Sequence, residues 1–210
     1  MKKKLILILC ILFLTTGCVS INDSSIERII KEVTTSNSKI YNHSNEGFKY
    51  YLPSGMTISY KDEYNEIIKC DGYKFYLYVD LVKYFNDVDN DYEEEKNIYY
   101  SHIFENKKIK GIVNVYEIED DKYLVSVNYN YAKVEAYVKK KDINKAVTKA
   151  LIITTTMKYN KNVIINMFGK DLSSLEEEVN VFNINDDSST FLQVDDTYYE
   201  EEDYDSEVIR

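Results

Sequence analysis

Between Gly111 and Lys139 apolar and polar residues alternate with a period of two through consecutive runs, and that pattern limits the possible folds more than any other feature. Tyr123, Val125, Val127, Tyr129 and Tyr131 alternate with Leu124, Ser126, Asn128 and Asn130. Val134, Ala136 and Val138 then alternate with Lys133, Glu135, Tyr137 and Lys139. Successive side chains of a strand point to opposite faces, so each run has one apolar face and one wetter face. An antiparallel sheet accommodates that asymmetry, whereas a parallel sheet is covered on both sides. The runs 111–119 and 122–131 flank Glu119-Asp120-Asp121, which predicts a hairpin.

A second hairpin is written upstream. Asn65–Cys70 and Tyr73–Asp80 flank Asp71-Gly72, a two-residue turn suited to type I′ geometry. Along the second arm Tyr73, Phe75, Leu77 and Val79 form the core side, and Lys74, Tyr76, Tyr78 and Asp80 the wet side. Phe48–Leu52 predicts a strand stopped by Pro53-Ser54-Gly55; Met56–Tyr60 begins another, and Ile98–Phe104 adds one more. Asp87–Lys96 reads as an exposed acidic connection.

An apolar sheet face needs a cover. Asp142 suits an N-cap, and Ile143, Ala146, Val147, Ala150 and Leu151 recur at helical spacing, predicting a helix over about residues 142–157. Its β-branched end, Ile152–Thr156, favours an early stop. Val163–Phe168 fits a strand or a short helix, and Leu172–Val181 a further helix. Upstream, Ser24 and Glu27 form a capping box ahead of Ile26, Ile29, Ile30 and Val33. That short helix is expected to dock on the domain, because it lacks the basic flanks and aromatic anchors of an interfacial helix. Together these elements predict an α+β fold: an antiparallel meander sheet with a long C-terminal helix packed on one face, an α/β sandwich. The Phe-x-aromatic strand entering a Pro-Gly-type turn at Phe48–Gly55, and the long helix ending in a polar segment at Asp142–Asn162, resemble the PsbP/Mog1-like domains over residues 47–168. The resemblance implies that fold and no activity.

The N-terminus carries an address. Lys2–Lys4 precede ten consecutive apolar residues, Leu5–Leu14, half of what a bilayer-spanning helix requires and the right length for a secretory signal. Leu14-Thr15-Thr16-Gly17-Cys18 follows and resembles the lipobox of bacterial lipoproteins. The family usually places Leu three residues before the cysteine; here that position is Thr15, with Leu14 one further back. The resemblance implies cleavage before Cys18, lipidation of Cys18, and residence on the outer face of the cell membrane. Two acyl chains give stable anchoring where one does not. The expected organisation is a signal peptide over 1–17, a lipidated cysteine and tether with a short helix over 18–46, one α+β domain over 47–184 and an acidic, disordered tail over 185–210. Taken as a random coil, the tether spans roughly 30 Å. Abundant Lys, Asn, Ile and Tyr point to an AT-rich genome, as in a low-GC Gram-positive bacterium.

Formal net charge is −10, and losing the three signal-peptide lysines leaves −13. A body of that sign is repelled by nucleic acid and by anionic headgroups, so no nucleic-acid partner is expected and the anchor supplies the membrane contact. Cys10 leaves with the signal and Cys18 takes lipid, so Cys70 has no disulfide partner. It reads as a small buried hydrophobe, with no base near it in sequence.

Catalytic signatures are scarce. His43 and His102 lack partners at metal-ligand spacing, and the sequence holds no Gly-rich phosphate loop and no nucleophile elbow. Asp87-Val88-Asp89-Asn90-Asp91 imitates a calcium loop but has Tyr92 and Ile98 where Gly and Glu are needed. No cofactor, metal or catalytic residue is assigned. What stands out is 21 tyrosines, several on the wet side of the sheet. Tyr76, Tyr78 and Tyr137 are the candidate contact surface, since tyrosine is enriched at interfaces, although strand propensity accounts for many of them. The expected function is a tethered, non-enzymatic binding or assembly module for an envelope partner. A carrier holding a hydrophobic ligand between sheet and helix is the alternative, and a carboxylate-dependent envelope hydrolase the remainder.

Overall fold

The computed structural model describes residues 24–36, 40–62 and 64–168. It is an α+β fold in which an antiparallel sheet carries a helix on one face. The elements in chain order are α1 (Ile26–Thr35), β1 (His43–Ser44), β2 (Phe48–Tyr50), β3 (Thr57–Lys61), β4 (Asn65–Cys70), β5 (Tyr73–Val79), α2 (Leu81–Asn86) and β6 (Tyr100–Asn106). They continue with β7 (Ile109–Glu119), β8 (Lys122–Tyr129), β9 (Ala132–Val138), a 3-10 turn (Lys140–Asp142), α3 (Ile143–Thr156), β10 (Lys158–Tyr159) and α4 (Lys161–Phe168).

Seven strands form the main sheet in the order β3-β4-β5-β9-β8-β7-β6, every pair antiparallel. It is two meanders, β3–β5 and β6–β9, joined where β5 pairs with β9. The connection after β5 therefore runs from the middle of the sheet to its far edge. A small sheet, β1-β2-β10, lies beside the end of α3, where the Tyr51 amide donates to Thr156 Oγ1 at 3.0 Å.

The alternating runs fold as written. Val113, Val115, Val125, Val127, Val134 and Ala136 project to one face and are buried under Val147, Ala150 and Leu151 of α3. Asp71 (φ 51°) and Gly72 (φ 81°) both adopt positive φ, as a type I′ turn requires. The alternation runs two residues past the end of β8. Asn130 and Tyr131 leave the strand and turn with φ of 52° and 60°. A bulky residue is strained there. The Asp80 amide donates to the Tyr131 carbonyl at 2.8 Å, and the Tyr131 ring meets Tyr84 edge-on at 5.6 Å.

Helix α3 spans the expected range, but its two ends are held differently from what the sequence suggests. Asp142 precedes α3 without capping it; its carboxylate accepts from the Tyr73 hydroxyl at 2.8 Å. The threonine run does not stop α3 early: Ile153 and Thr154 are buried, so packing holds the last turn, and Thr154, Thr155 and Thr156 each donate a hydroxyl to the carbonyl four residues back. The segment Val163–Phe168 belongs to α4, entered through Asn160, whose Oδ1 accepts from the Val163 amide at 3.4 Å. Sequence periodicity misses α2, where Asp80 caps by accepting from the Lys83 amide at 2.8 Å.

The fold begins well before residue 47. Helix α1 is capped by Ser25, not Ser24, and buries Ile26, Ile29 and Ile30 against α3. Burial of those three side chains contributes roughly 5–9 kcal/mol gross, before the cost of ordering the segment. A ten-residue helix is marginal by itself in water, so docking makes it stable. Asn144 Nδ2 donates to the Ser24 carbonyl at 2.8 Å and fixes the start of α1 beside the start of α3. Within the expected 18–46 tether, the described residues include the docked helix Ile26–Thr35 and the strand His43–Ser44.

Candidate functional site

Strands β5 and β9 lie at the centre of the main sheet, and their period of two sends Tyr76, Tyr78, Lys133, Glu135 and Tyr137 to the face opposite α3. Tyr76 pairs with Glu135 and Tyr78 with Lys133; across the next strand Glu135 meets Ser126 and Tyr137 meets Leu124. Lys133 Nζ stands 4.7 Å from the centre of the Tyr78 ring and 3.4 Å from Glu135 Oε1. Ser126 Oγ donates to the same carboxylate oxygen at 3.3 Å, and Lys122 Nζ lies 5.6 Å from the centre of the Tyr137 ring. The three tyrosines picked out by sequence therefore gather around one carboxylate.

Their exposure is not what alternation suggests. Tyr76 and Tyr78 are only 4% and 6% exposed, while Tyr137 is half-buried. A central strand has neighbours on both sides, and its rings are shielded by cross-strand side chains that an edge strand would lack. Burial, reinforced by the Tyr137 hydroxyl, pushes Tyr76 up to about 12. Burial and then the Glu135 carboxylate raise Tyr78 and Tyr137 as well. All three remain hydroxyl donors at neutral pH. The face thus carries Tyr137 and one ion pair, Lys133–Glu135, over the buried rings of Tyr76 and Tyr78.

The polar face continues toward β6. Glu95 Oε1 accepts from the Tyr116 hydroxyl at 2.6 Å and from Asn114 Nδ2 at 3.1 Å. Ser101 Oγ donates to Asn114 Oδ1 at 2.8 Å and accepts from the Glu95 amide at 2.9 Å. Glu94 Oε1 accepts from the Ile103 amide at 2.9 Å and lies 3.2 Å from His102 Nδ1. The acidic connection is exposed at Glu93–Lys96 as the sequence suggests, and Glu94 and Glu95 are also bonded to the sheet. Nothing local in the sequence signals this, because the partners lie on two different strands, β6 and β7.

On the helix-covered face Glu66 is wholly buried. Tyr50 donates its hydroxyl to Glu66 Oε2, and His43 Nε2 lies 3.0 Å from Oε1. Burial, and then the carboxylate itself, raise the Tyr50 hydroxyl far above its ordinary value. The cluster ties β1 and β2 to the main sheet. Its signal was in the phase of β4: with Ile68 and Cys70 facing inward, Glu66 must face inward too. Cys70 is buried as expected, yet it is not alone. Helix α3 brings Lys149 Nζ to 2.8 Å from its Sγ, a partner 79 positions away in sequence. Among the described residues no group of three or more His, Cys, Asp or Glu side chains is placed to hold a metal ion.

Cys18, the expected helix at 172–181 and the acidic tail lie outside the described residues. Among those described, no helix is long and apolar enough to cross a membrane. No family model and no curated protein matches the sequence. A crystal structure of a GTP-binding regulator from Thermotoga maritima is 10% identical, with 65% of this chain and 93% of that one covered, at a TM-score of 0.26. At that score the likeness carries no argument.

Proposed function

We propose that the chain is an exported lipoprotein, held by lipid on Cys18 at the outer face of the cell membrane, that serves as a non-enzymatic binding or assembly module. Its contact surface is the polar sheet face, with Tyr137, Lys133 and Glu135 toward the partner and Tyr76 and Tyr78 as the floor beneath them. The observation that carries this reading is the gathering of three tyrosines, a lysine and a carboxylate at the centre of the face opposite α3. Tyrosine rings with phenolic donors supply large contact area at low entropic cost. The body is read as the PsbP/Mog1-like sandwich, in keeping with its antiparallel sheet and single long helix.

The interior between sheet and α3 is filled by Val125, Val127, Val134, Val147 and Leu151, each fully buried, which favours surface contact over a carried ligand. A polar cleft of about 370 Å³ lies elsewhere, lined by Lys49, Lys158 and Lys161 among others. With α1 docked, only six positions separate Cys18 from Ser24, so the anchor reaches at most about 20 Å from the body. The partner is therefore expected within the envelope close to the membrane. A photo-crosslinking residue at position 137, compared with one at exposed Lys110 on β7, tests the surface in intact cells. A discrete crosslinked species from 137 and not from 110 supports it; equal or no crosslinking at 137 rejects it.

A further inference from the structure

The two edges of the main sheet are protected differently. Strand β3 has five residues, a bulge between Ile58 and Tyr60, and Lys61 at its end, and each of these features discourages pairing. Strand β6 has seven residues in unbroken register with β7, and Tyr100–Asn106 contains neither proline nor lysine. By the same rules it is an open template for another strand.

What occupies its outer side is the acidic connection. The Ile103 amide points away from β7, since Glu94 Oε1 accepts from it at 2.9 Å. By antiparallel alternation Ser101 and Glu105 present their backbone outward as well. Glu94 also meets His102 at 3.2 Å. Next to it, Glu95 is fixed at both ends: its amide donates to Ser101 Oγ and its carboxylate accepts from Tyr116 and Asn114. A carboxylate thus stands where the carbonyl of an eighth strand would stand.

We propose that Glu93-Glu94-Glu95 is a strap guarding the β6 edge, and that a second copy of this chain is the strand it excludes. A two-fold antiparallel addition centred on Ile103 would set Ile103 against Ile103, Ser101 against Glu105 and His102 against Phe104, with no like charges directly opposed. With the strap present, three glutamates from each copy meet at the same seam and repel. The edge is self-complementary, and the strap supplies both the bulk and the charge that keep it single.

Sedimentation of the full chain in density-matched detergent tests this. Wild type is expected to keep one mass across a hundredfold concentration range, while the Glu94→Ala/Glu95→Ala variant rises toward twice that mass. Adding Ile103→Pro is expected to restore the single mass: proline removes an outward amide and no ladder bond, so an edge strand tolerates it. A double variant that keeps the wild-type mass, or an association that Ile103→Pro leaves unchanged, would overturn the proposal. So would wild type that already pairs through Ile103. Should the double variant fail to fold, hydrogen exchange at the Ile103 amide of wild type decides. Protection supports the strap, and exchange at the unprotected rate rejects it.

Discussion

Replacing Tyr50 by Phe removes one oxygen from a site with no access to water, and the consequence follows from the structure. Tyr50 and Glu66 are both fully buried, and the Tyr50 hydroxyl donates to Glu66 Oε2 while His43 Nε2 meets Oε1 at 3.0 Å. Phenylalanine keeps the ring and its packing against Phe48 and His43, so no sizeable cavity opens. What is lost is a hydrogen bond to a buried carboxyl group, which costs about 1.5–3 kcal/mol when the acceptor is charged. For a domain of this size that corresponds to a fall in Tm of roughly 3–12 °C. Urea unfolding followed by circular dichroism is the assay. The midpoint should move with the slope unchanged, because the area exposed on unfolding is the same. The cost should vanish when Tyr50→Phe is made in a Glu66→Leu background, since neither variant group then leaves the other unsatisfied. A Tyr50→Phe chain within about 0.5 kcal/mol of wild type, or the same cost in both backgrounds, would refute the reasoning.

Stability should also fail at alkaline pH through the tyrosines. Tyr73, Tyr76 and Tyr129 are each raised to about 12, chiefly by burial. A folded value above the unfolded one of about 10 gives stability that is whole below pH 10 and is lost as pH rises toward 12. Equilibrium unfolding at pH 9, 10.5 and 12, with tyrosinate absorbance read in parallel, checks it; stability unchanged at pH 12 contradicts it. Gly111→Ala should destabilise by about 1–3 kcal/mol, the usual cost of overpacking. Its new Cβ would stand 2.6 Å from Phe104 Cζ and 2.8 Å from the Asn128 carbonyl oxygen, and the second of these is backbone that cannot swing aside. Thermal melting reads the loss, and a variant as stable as wild type rules the close approach out.

Much of the architecture was legible because it rests on local periodicity. The face assignments of Tyr123–Tyr129 and Val134–Val138, the Asp71-Gly72 turn and the buried side of α3 all follow from spacing alone. The failures share one cause, which is chemistry between distant segments. Tyr131 continues the alternation yet turns, because Tyr84 and the Asp80 amide hold it there. Tyr76 and Tyr78 alternate as solvent-facing residues yet are buried, because β5 lies in the middle of the sheet beside β9, a strand far along the chain. Glu66 looks like an ordinary surface acid yet is wholly buried, and the exposed Glu94 and Glu95 take partners on β6 and β7 that no local pattern announces. Charge and composition limit the partners to be expected, but the polar contact face is visible only once β5 and β9 are paired.

Where the chain is held is tested most directly by fractionation of cells carrying wild type or Cys18→Ser. Wild type should sediment with membranes and show a diacylglyceryl mass on Cys18, while the variant should leave the membrane fraction with its fold intact. A Cys18→Ser chain that remains with the membrane as wild type does, or a wild-type Cys18 without an acyl group, would contradict it.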